Sequence, residues 1–450
     1  MEEKGSLHGQ WRSRWTYFLA ATGSAVGLGN IWKFPYIAGE YGGGAFVLVY
    51  LACVVGVGWP ILLAETVIGR SGRRSPVYSI AGLAREAGAS AHWRWLGWVH
   101  ALTGLLILSF YTVIAGWSLY YFWAAVQGLF SPGAEHAAQL FQGLTGHWPR
   151  VLLCGSLFLL ATMACVGRGV ERGIEASLRL TMPALLALLL VLVGYGMASG
   201  DFAGSLHFLF YPDFSRLSVD GLLVALGHAF FTLGVGAAAM MIYGAYVPPQ
   251  VSLPRAGVEI IAADTAIALL AGLAIFPIVL GSGLEPAQGP GLIFLSLPIA
   301  FAGMPLGNLF GALFFAMLAL AAFSSTISMI EGMLTVWIEK WQLPRGRAAM
   351  MLGLIVWLLS LGTVFSFVPE AWTLAGHSFF ELLDYLTSNI MLPLTSLGTA
   401  LFVGWAMQRE TARRALRVRS PLIFPLWHGA VRWLAPAAIV VIMLRALGLL

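Results

Sequence analysis

Apolar runs of about 20 residues or more recur along the whole chain, and they limit its possible folds more than any other feature. A helix of that length crosses a hydrocarbon core of about 30 Å. The composition agrees, because 59% of the 450 residues are hydrophobic and 10% are charged, far from the balance of a soluble domain. Strand-like alternation of polar and apolar residues is absent from these runs. We therefore predict an all-α polytopic membrane protein whose solvent is the lipid bilayer.

The apolar runs define eleven predicted transmembrane helices, which we call spans 1 to 11. They cover residues 15–38, 44–69, 96–127, 151–166, 176–198, 221–246, 258–282, 307–339, 348–366, 375–405 and 429–449. The chain, residues 1–450, is predicted to form a single domain.

Basic residues distinguish the two sides of the predicted bundle. Most of the 25 Lys and Arg residues lie in the N-terminal segment and in the loops after spans 2, 4, 6, 8 and 10, whereas the opposite loops carry Arg150 and Arg216. Basic loops accumulate on the cytoplasmic side. We predict a cytoplasmic N-terminus, an external C-terminus and a multi-pass location in the inner (cytoplasmic) membrane. Topology thus explains the net charge of +5, which gives no argument for nucleic-acid binding.

Two spans carry glycine clusters in mid-membrane. Span 1 contains Gly23-Ser24-Ala25-Val26-Gly27-Leu28-Gly29-Asn30, and span 6 contains Thr232-Leu233-Gly234-Val235-Gly236-Ala237-Ala238-Ala239. Glycine weakens a helix, and non-helical backbone is tolerated at this depth where it lines a cavity or coordinates a ligand. The alternative is a close helix contact through Gly23-x-x-x-Gly27.

The positions of the two glycine clusters indicate an inverted repeat. Each cluster lies in the first span of a block of five, residues 15–198 and 221–405, and span 11 follows separately at 429–449. An odd number of spans per block inverts the second copy relative to the first. In secondary transporters built in this way, the broken helices mark the binding site.

Polar side chains lie well inside the apolar spans, beside both clusters. They are Asn30, Thr232, Asp264, Ser324 and Ser325. Oxygen ligands of this kind suit a hard cation such as sodium. A carboxylate in mid-membrane is costly unless it is paired or protonated, so Asp264 predicts an ion or proton pathway. For Asp264 the alternative is a hydrogen bond to a neighbouring helix, and for the serines it is a hydrogen bond back to their own helix.

Several motifs of the chain occur together in one transporter family. The first motifs lie in residues 11–74, which begin with Trp11-Arg12-Ser13-Arg14-Trp15, continue through the span 1 cluster to Pro35 and include Gly42-Gly43-Gly44-Ala45-Phe46. The other motifs, in spans 6, 8 and 10, are Phe230-Phe231-Thr232-Leu233-Gly234, Ala322-Phe323-Ser324-Ser325-Thr326 and Asp384-Tyr385-Leu386-Thr387-Ser388-Asn389. In these motifs the chain resembles a prokaryotic member of the neurotransmitter:sodium symporter family. The resemblance implies sodium-coupled secondary active symport of a small amino acid by alternating access. It also implies a 5+5 inverted repeat with discontinuous helices 1 and 6.

The resemblance further implies two sodium ions. The first site would use the carbonyls of Ala25 and Thr232, the side chains of Asn30, Thr232 and Asp264, and the carboxylate of the bound substrate. The second would use the carbonyls of Gly23, Val26 and Ala321 and the hydroxyls of Ser324 and Ser325. Because the substrate would ligate sodium directly, each ligand would complete the other's site.

A substrate pocket follows from the same resemblance. Its residues would be Ala25, Leu28, Gly29, Ile107, Tyr111, Phe231, Thr232, Gly234, Ala237, Ser325, Ser328 and Met329. The Tyr111 hydroxyl would bind the substrate carboxylate. Gly234 and Ala237 are smaller than the residues that relatives carry there, which favours a bulky hydrophobic or aromatic amino acid. N-methylated, β- and γ-amino acids remain open alternatives.

The family pattern also assigns gates on both sides of the pocket. Lys33 and Asp384 would form the outer pair, and Tyr111 with Phe231 the lid over the substrate. Glu339 would be the acidic residue of the cytoplasmic gate, where His8 replaces the usual arginine. Arg12 could take the place of that arginine, or His8 could make closure sensitive to pH.

Asp264 departs from the family pattern in a way that bears on chloride. The family commonly has a neutral Asn there, and animal relatives add a chloride ion beside the first sodium site. A built-in carboxylate would repel that ion, and Ala268 stands where some prokaryotic relatives carry a glutamate. We expect transport that does not require chloride.

Other function classes have weaker support in the sequence. A channel would need a polar lining along several spans, whereas the polar residues here cluster at one depth. No His-Glu-x-x-His, Gly-x-Ser-x-Gly or P-loop pattern is present, so we predict that the protein is not an enzyme. A non-transporting amino-acid sensor on the same fold stays open, as do a monomer and a dimer.

Overall fold

The computed structural model describes residues 8–284, 291–368, 372–418, 420–446 and 449. Within them, nine unbroken helices are long and apolar enough to cross a membrane. These helices are spans 2 to 5 and 7 to 11, at Gly44–Gly72, Ala91–Val126, Trp148–Gly167, Val170–Ser199, Leu253–Gly281, Gly307–Trp341, Arg345–Phe365, Phe379–Ala406 and Ile423–Arg445.

Spans 1 and 6 are each divided into two shorter helices. Span 1 consists of Arg14–Ala25 and, after Val26 to Leu28, of helical residues 29–40. Span 6 consists of Val219–Thr232 and Ala239–Ala245. The halves are too short to cross a bilayer alone. The described residues therefore confirm the predicted all-α polytopic fold with discontinuous helices 1 and 6.

Short helices cover the two ends of the bundle. On the end that carries residues 8–13, which we call the N-terminal face, lie Pro76–Glu86 and Arg409–Leu416. On the opposite face lie Ala134–Thr145, Phe202–Phe210 and Leu297–Ala302. An odd number of passes places residues 8–13 and Arg445 on different faces.

The predicted start of span 10 at residue 375 is wrong. Residues Thr373–Leu374 and His377–Ser378 form a two-residue antiparallel hairpin, and the helix begins at Phe379. The turn residues Ala375 and Gly376 both have positive φ, 54° and 83°, as a tight hairpin turn requires. Ser378 then caps the helix, since its hydroxyl accepts from the Glu381 N–H and Glu381 reaches back to the Ser378 N–H. The prediction of a purely helical chain missed this hairpin.

Spans 3 and 8 pack against both broken helices. A Cβ on Gly27 in span 1 would lie 2.4 Å from Ser325 Oγ of span 8 and 2.8 Å from the Tyr111 hydroxyl of span 3. A Cβ on Gly104 of span 3 would lie 2.8 Å from the Ala237 carbonyl oxygen in span 6. Glycine at these two positions lets the helices approach closely, so the breaks are held between spans 3 and 8.

Candidate functional site

The break in span 1 arises because two backbone N–H groups leave the helical pattern. The Gly27 N–H donates to Asn30 Oδ1 at 3.2 Å, and the Leu28 N–H donates to the Tyr111 hydroxyl at 3.0 Å. In a continuous helix these groups would donate to the carbonyls of Gly23 and Ser24. Because the two N–H groups have these other partners, the carbonyl oxygens of Gly23 and Ser24, at the end of the first half-helix, are available for a cation.

The break in span 6 is built on left-handed backbone. Gly234, Gly236 and Ala238 have φ of 61°, 89° and 68°, a region that glycine tolerates best. The Gly236 N–H donates to Glu65 Oε1 at 2.6 Å, and the Gly236 carbonyl accepts from the Thr395 hydroxyl at 2.9 Å. The backbone N–H and carbonyl of the buried Gly236 therefore both have hydrogen-bond partners in neighbouring spans.

Glu65 and Thr395 were missed by the sequence interpretation. Glu65 is fully buried in span 2, and a carboxylate within an apolar run is itself a signal of a functional or structural partner. Thr395 gives no comparable signal, because a threonine in a membrane helix most often bonds back to its own helix.

The side chains predicted for the first sodium site meet between the two breaks. Asn30 Nδ2 lies 2.8 Å from Asp264 Oδ1, and Thr232 Oγ1 lies 3.2 Å from Asp264 Oδ2. The Tyr50 hydroxyl, which the sequence interpretation did not include, is 3.5 Å from Asp264 Oδ2. Asn30 and Asp264 are fully buried and Thr232 is 1% exposed. The side-chain atoms of this cluster that could ligate a cation are all oxygens, which a hard cation prefers, and the Asn30 oxygen also accepts from the Gly27 N–H.

Four of the five residues predicted for the second sodium site also meet. The hydroxyls of Ser324 and Ser325 each lie 3.3 Å from the Val26 carbonyl oxygen, and they lie 2.9 and 3.4 Å from the Ala321 carbonyl oxygen. Gly23 is one turn earlier in span 1, where a Cβ would meet Met182 of span 5 at 2.9 Å. Gly23 therefore adjoins span 5, and its carbonyl is freed as described above.

A small cavity lies between the breaks, and we call it the inner cavity. Nine predicted pocket residues line it, namely Ala25, Gly29, Ile107, Tyr111, Phe231, Gly234, Ala237, Ser325 and Met329, together with Ser24, Gly27 and Leu392, which were not predicted. Its volume is about 30 Å³, enough for one or two water molecules. An amino-acid side chain would thus have to displace flexible residues such as Met329.

Three residues predicted for the pocket lie elsewhere. Leu28 faces a second cavity, Thr232 contacts Asp264, and the Ser328 hydroxyl donates to the Ser325 carbonyl at 2.8 Å. Gly234 and Ala237 both line the inner cavity, together with Leu392 and Met329. The expectation that the two small residues favour a bulky substrate stays a prediction.

A larger cavity, which we call the outer cavity, lies toward the face opposite the N-terminal one. Its volume is about 380 Å³, and Tyr111 and Phe231 line both cavities. Most of its wall is aromatic, with Trp32, Tyr36, Phe110, Trp117, Phe141, Phe294, Phe367 and Phe380. Lys33 and Asp384 also line it, but they form no ion pair in the part of the chain that the structure describes. Lys33 Nζ lies 4.3 Å from the centre of the Phe231 ring, and Asp384 accepts from the Ser388 hydroxyl at 2.8 Å.

The N-terminal face is closed below the inner cavity. Glu339 accepts from the Ser75 N–H at 2.6 Å, lies 2.8 Å from His8 Nε2 and pairs with Arg74 at 3.0 Å. Trp11 is 2% exposed, and its indole N–H donates to the Tyr243 carbonyl at 3.2 Å. Among the described residues, these contacts cover the N-terminal face, whereas the outer cavity lies toward the opposite face.

Arg12 does not substitute for the missing gate arginine in this conformation. Its guanidinium lies 3.2 Å from Glu171, and its backbone N–H donates to Glu175 at 3.3 Å. Glu339 instead pairs with His8 and with Arg74, a residue that the sequence interpretation did not place in the gate.

Comparison with known proteins decides the family. A profile of the sodium:neurotransmitter symporter family matches residues 8–133 and 143–448. The chain belongs to this family. It is accordingly a sodium-dependent membrane transporter and not an enzyme.

Relatives within the family span nearly the whole chain. The sodium-dependent transporter YhdH of Bacillus subtilis is 34% identical, over 98% of both chains. A sodium-dependent transporter of Haemophilus influenzae is 31% identical, over 97% of this chain and 98% of the relative. The solved structure of MhsT in complex with L-phenylalanine is 40% identical and superposes with a TM-score of 0.89, over 97% of this chain and 99% of that one.

Proposed function

We propose that the protein is a symporter that couples sodium entry to uptake of a hydrophobic or aromatic amino acid by alternating access. The observation that carries this proposal is the buried cluster of Asp264, Asn30 and Thr232, which lies between two broken helices and beside the inner cavity. A carboxylate at this depth needs a counter-charge, and a sodium ion would supply it.

Two sodium ions would bind at the two oxygen clusters. The substrate carboxylate would supply a further ligand at the first cluster, near the Tyr111 hydroxyl. The second cluster consists of the Val26 and Ala321 carbonyls with the Ser324 and Ser325 hydroxyls. Because hydroxyl and carbonyl ligands carry no formal charge, sodium affinity at this site would depend on how closely the four oxygens surround the ion.

The substrate class is supported by the lining of the inner cavity and by the likeness to MhsT. Ile107, Phe231, Ala237 and Met329 present apolar surface, and the MhsT structure contains L-phenylalanine. An aromatic side chain would enter as Met329 and Leu392 rotate, since unbranched methionine adapts readily.

A β- or γ-amino acid is the second candidate substrate. A bovine taurine transporter and a human GABA transporter 2 are 27% and 24% identical to this chain. Their names support such a substrate less strongly than the 40% identity with MhsT supports phenylalanine.

The proposed orientation assigns each face of the protein to one side of the membrane. With the N-terminal face in the cytoplasm, the outer cavity opens outside and the Glu339 cluster closes the inside. The structure would then represent the outward-facing stage of the cycle. The inner membrane is the proposed location.

Uptake into proteoliposomes tests the proposal. Purified protein would be reconstituted and given an inward sodium gradient, with labelled L-phenylalanine and competitors that include leucine, GABA and taurine. We expect concentrative, saturable uptake that apolar and aromatic amino acids inhibit best. Asp264→Asn should lose it, whereas Asp213→Asn, a matched change on an exposed turn, should retain it. Binding without uptake would indicate a sensor, and inhibition by GABA or taurine alone would favour the second candidate.

A further inference from the structure

A buried polar cluster connects four spans at the break in span 6. Its members are Glu65 of span 2, His100 of span 3, Thr395 and Thr399 of span 10, and Gly236 in the break. All four side chains are 0% exposed. Polar groups buried to this degree are costly unless they are hydrogen-bonded, so each contact in the cluster affects the others.

His100 has a fixed ring orientation. Its Nδ1 lies 2.9 Å from the Leu96 carbonyl oxygen, and since a carbonyl only accepts, Nδ1 carries a hydrogen. Its Nε2 faces Glu65 Oε1 at 3.4 Å and Thr399 Oγ1 at 3.1 Å. Three spans therefore meet at one imidazole edge.

Glu65 has few other partners. Its Oε1 accepts from the Gly236 N–H at 2.6 Å, and its Oε2 has no hydrogen-bond partner among the described residues. Without His100, the carboxylate would keep a single backbone donor. A buried carboxylate in that state either moves or draws in water, and both would release the Gly236 N–H.

We propose that His100 is a positioning residue of the transporter. With hydrogens on both ring nitrogens, it donates through Nε2 toward the Glu65 carboxylate and keeps that carboxylate on the Gly236 N–H, with the Thr399 hydroxyl at the same nitrogen. This contact thereby fixes the break in span 6. Span 3 then has two contacts with the binding region. His100 contacts Glu65, which binds the break in span 6, and Ile107 and Tyr111 line the inner cavity. This inference deepens the proposed function, on which its relevance to transport rests.

Hydrogen–deuterium exchange of the ligand-free protein tests this role. Peptides covering residues 233–238 would be compared among the wild type, His100→Leu, Glu65→Gln and the double variant. His100→Leu should exchange about tenfold faster or more, because a buried charge loses its neighbour. The double variant should exchange within about threefold of the wild type, since a neutral glutamine oxygen still accepts from Gly236 without a buried charge.

Thr103→Val is the matched control. Thr103 is buried one turn further along span 3, and its hydroxyl bonds to the Val99 carbonyl of its own helix. We expect this variant to exchange as the wild type does. Equal exchange in His100→Leu and the wild type, or no recovery in the double variant, would overturn the proposal.

If His100→Leu cannot be purified, the yield of folded protein is compared between this variant and the double variant. Recovery of folded protein on addition of Glu65→Gln would support the proposal, and failure of both variants to fold would overturn it. Exchange is measured without substrate or a sodium gradient. Its outcome is therefore distinguishable from a failure of the proposed transport function.

Discussion

At the scale of single residues, the sodium hypothesis rests most on Asp264. Its carboxylate is fully buried in span 7 and receives hydrogen bonds from Asn30, Thr232 and Tyr50. These donors come from spans 1, 6 and 2, so the carboxylate joins both broken helices to the rest of the bundle. No Lys or Arg pairs with it in the described residues, which leaves its charge for a cation to balance.

Chloride independence is a prediction at this scale. At roughly 4 Å and an effective dielectric of about 20, two like charges repel by about 4 kcal/mol, enough to keep a chloride ion away from Asp264. Sodium-driven uptake should therefore be unchanged when gluconate replaces chloride. Asp264→Asn should lose sodium affinity, and the same uptake assay with chloride added to this variant measures any recovery. A wild type that falls to background in gluconate would show that Asp264 does not replace the ion.

The size of the substrate pocket gives a second residue-scale prediction. Ala237 is 3% exposed and lines the inner cavity. Ala237→Phe should shift preference toward smaller amino acids, because a ring added to a packed site costs about 1–3 kcal/mol for a bulky ligand. Competition by alanine, leucine and phenylalanine measures the shift. An unchanged order of inhibition would mean that Ala237 does not contact the substrate.

At the scale of helices, the break in span 1 depends on the close approach of spans 1, 3 and 8 at Gly27. A methyl group there would overlap Ser325 Oγ and the Tyr111 hydroxyl. The same contact holds Tyr111 where it accepts from the Leu28 N–H. The glycine is thus needed for the geometry of the break as well as for its flexibility.

Gly27→Ala should therefore disrupt both packing and transport. We expect a loss of about 1–3 kcal/mol of stability from overpacking, measured by thermal unfolding, together with loss of sodium-dependent binding. Gly194→Ala is the matched control, because a Cβ there meets nothing within 4 Å and alanine favours the helix by about 1 kcal/mol. A Gly27→Ala protein as stable and as active as the wild type would contradict the close packing described here.

The spans and their two breaks were predictable from the sequence, whereas several contacts between spans were not. Apolar runs and glycine clusters predicted the spans and the two breaks because both are local signals. The Asn30, Thr232 and Asp264 cluster was predictable because polar side chains are conspicuous in apolar runs. The contacts of Leu392 with the inner cavity and of Arg74 with Glu339 were not predictable, since they depend on how distant spans pack.

At the scale of the whole molecule, the two faces differ in closure. Among the described residues, Glu339 and Trp11 make contacts that cover the N-terminal face, whereas Lys33 and Asp384 form no ion pair on the opposite face. Alternating access requires that the first set of contacts break as the second set forms. The gate residues are thus expected to set the balance between the two conformations.

Glu339→Gln should shift that balance toward opening of the N-terminal face. The variant loses the carboxylate charge in its contacts with His8 and Arg74, and because the Glu339 side chain is only 3% exposed, leaving those partners unmatched is costly. We expect faster hydrogen exchange in residues 8–13 and a lower maximal uptake rate. Glu171→Gln is the control, because its pair with Arg12 is exposed and such pairs contribute little. Equal exchange in the two variants would show that Glu339 does not hold the face closed.

We propose that sodium and substrate bind at one shared site between the broken helices. Equilibrium binding of labelled L-phenylalanine to purified protein, measured over a series of sodium concentrations with choline as the replacement cation, tests it most directly. We predict that phenylalanine affinity rises with sodium and that sodium affinity rises with phenylalanine by the same factor. Equal phenylalanine affinity in sodium and in choline would contradict the account.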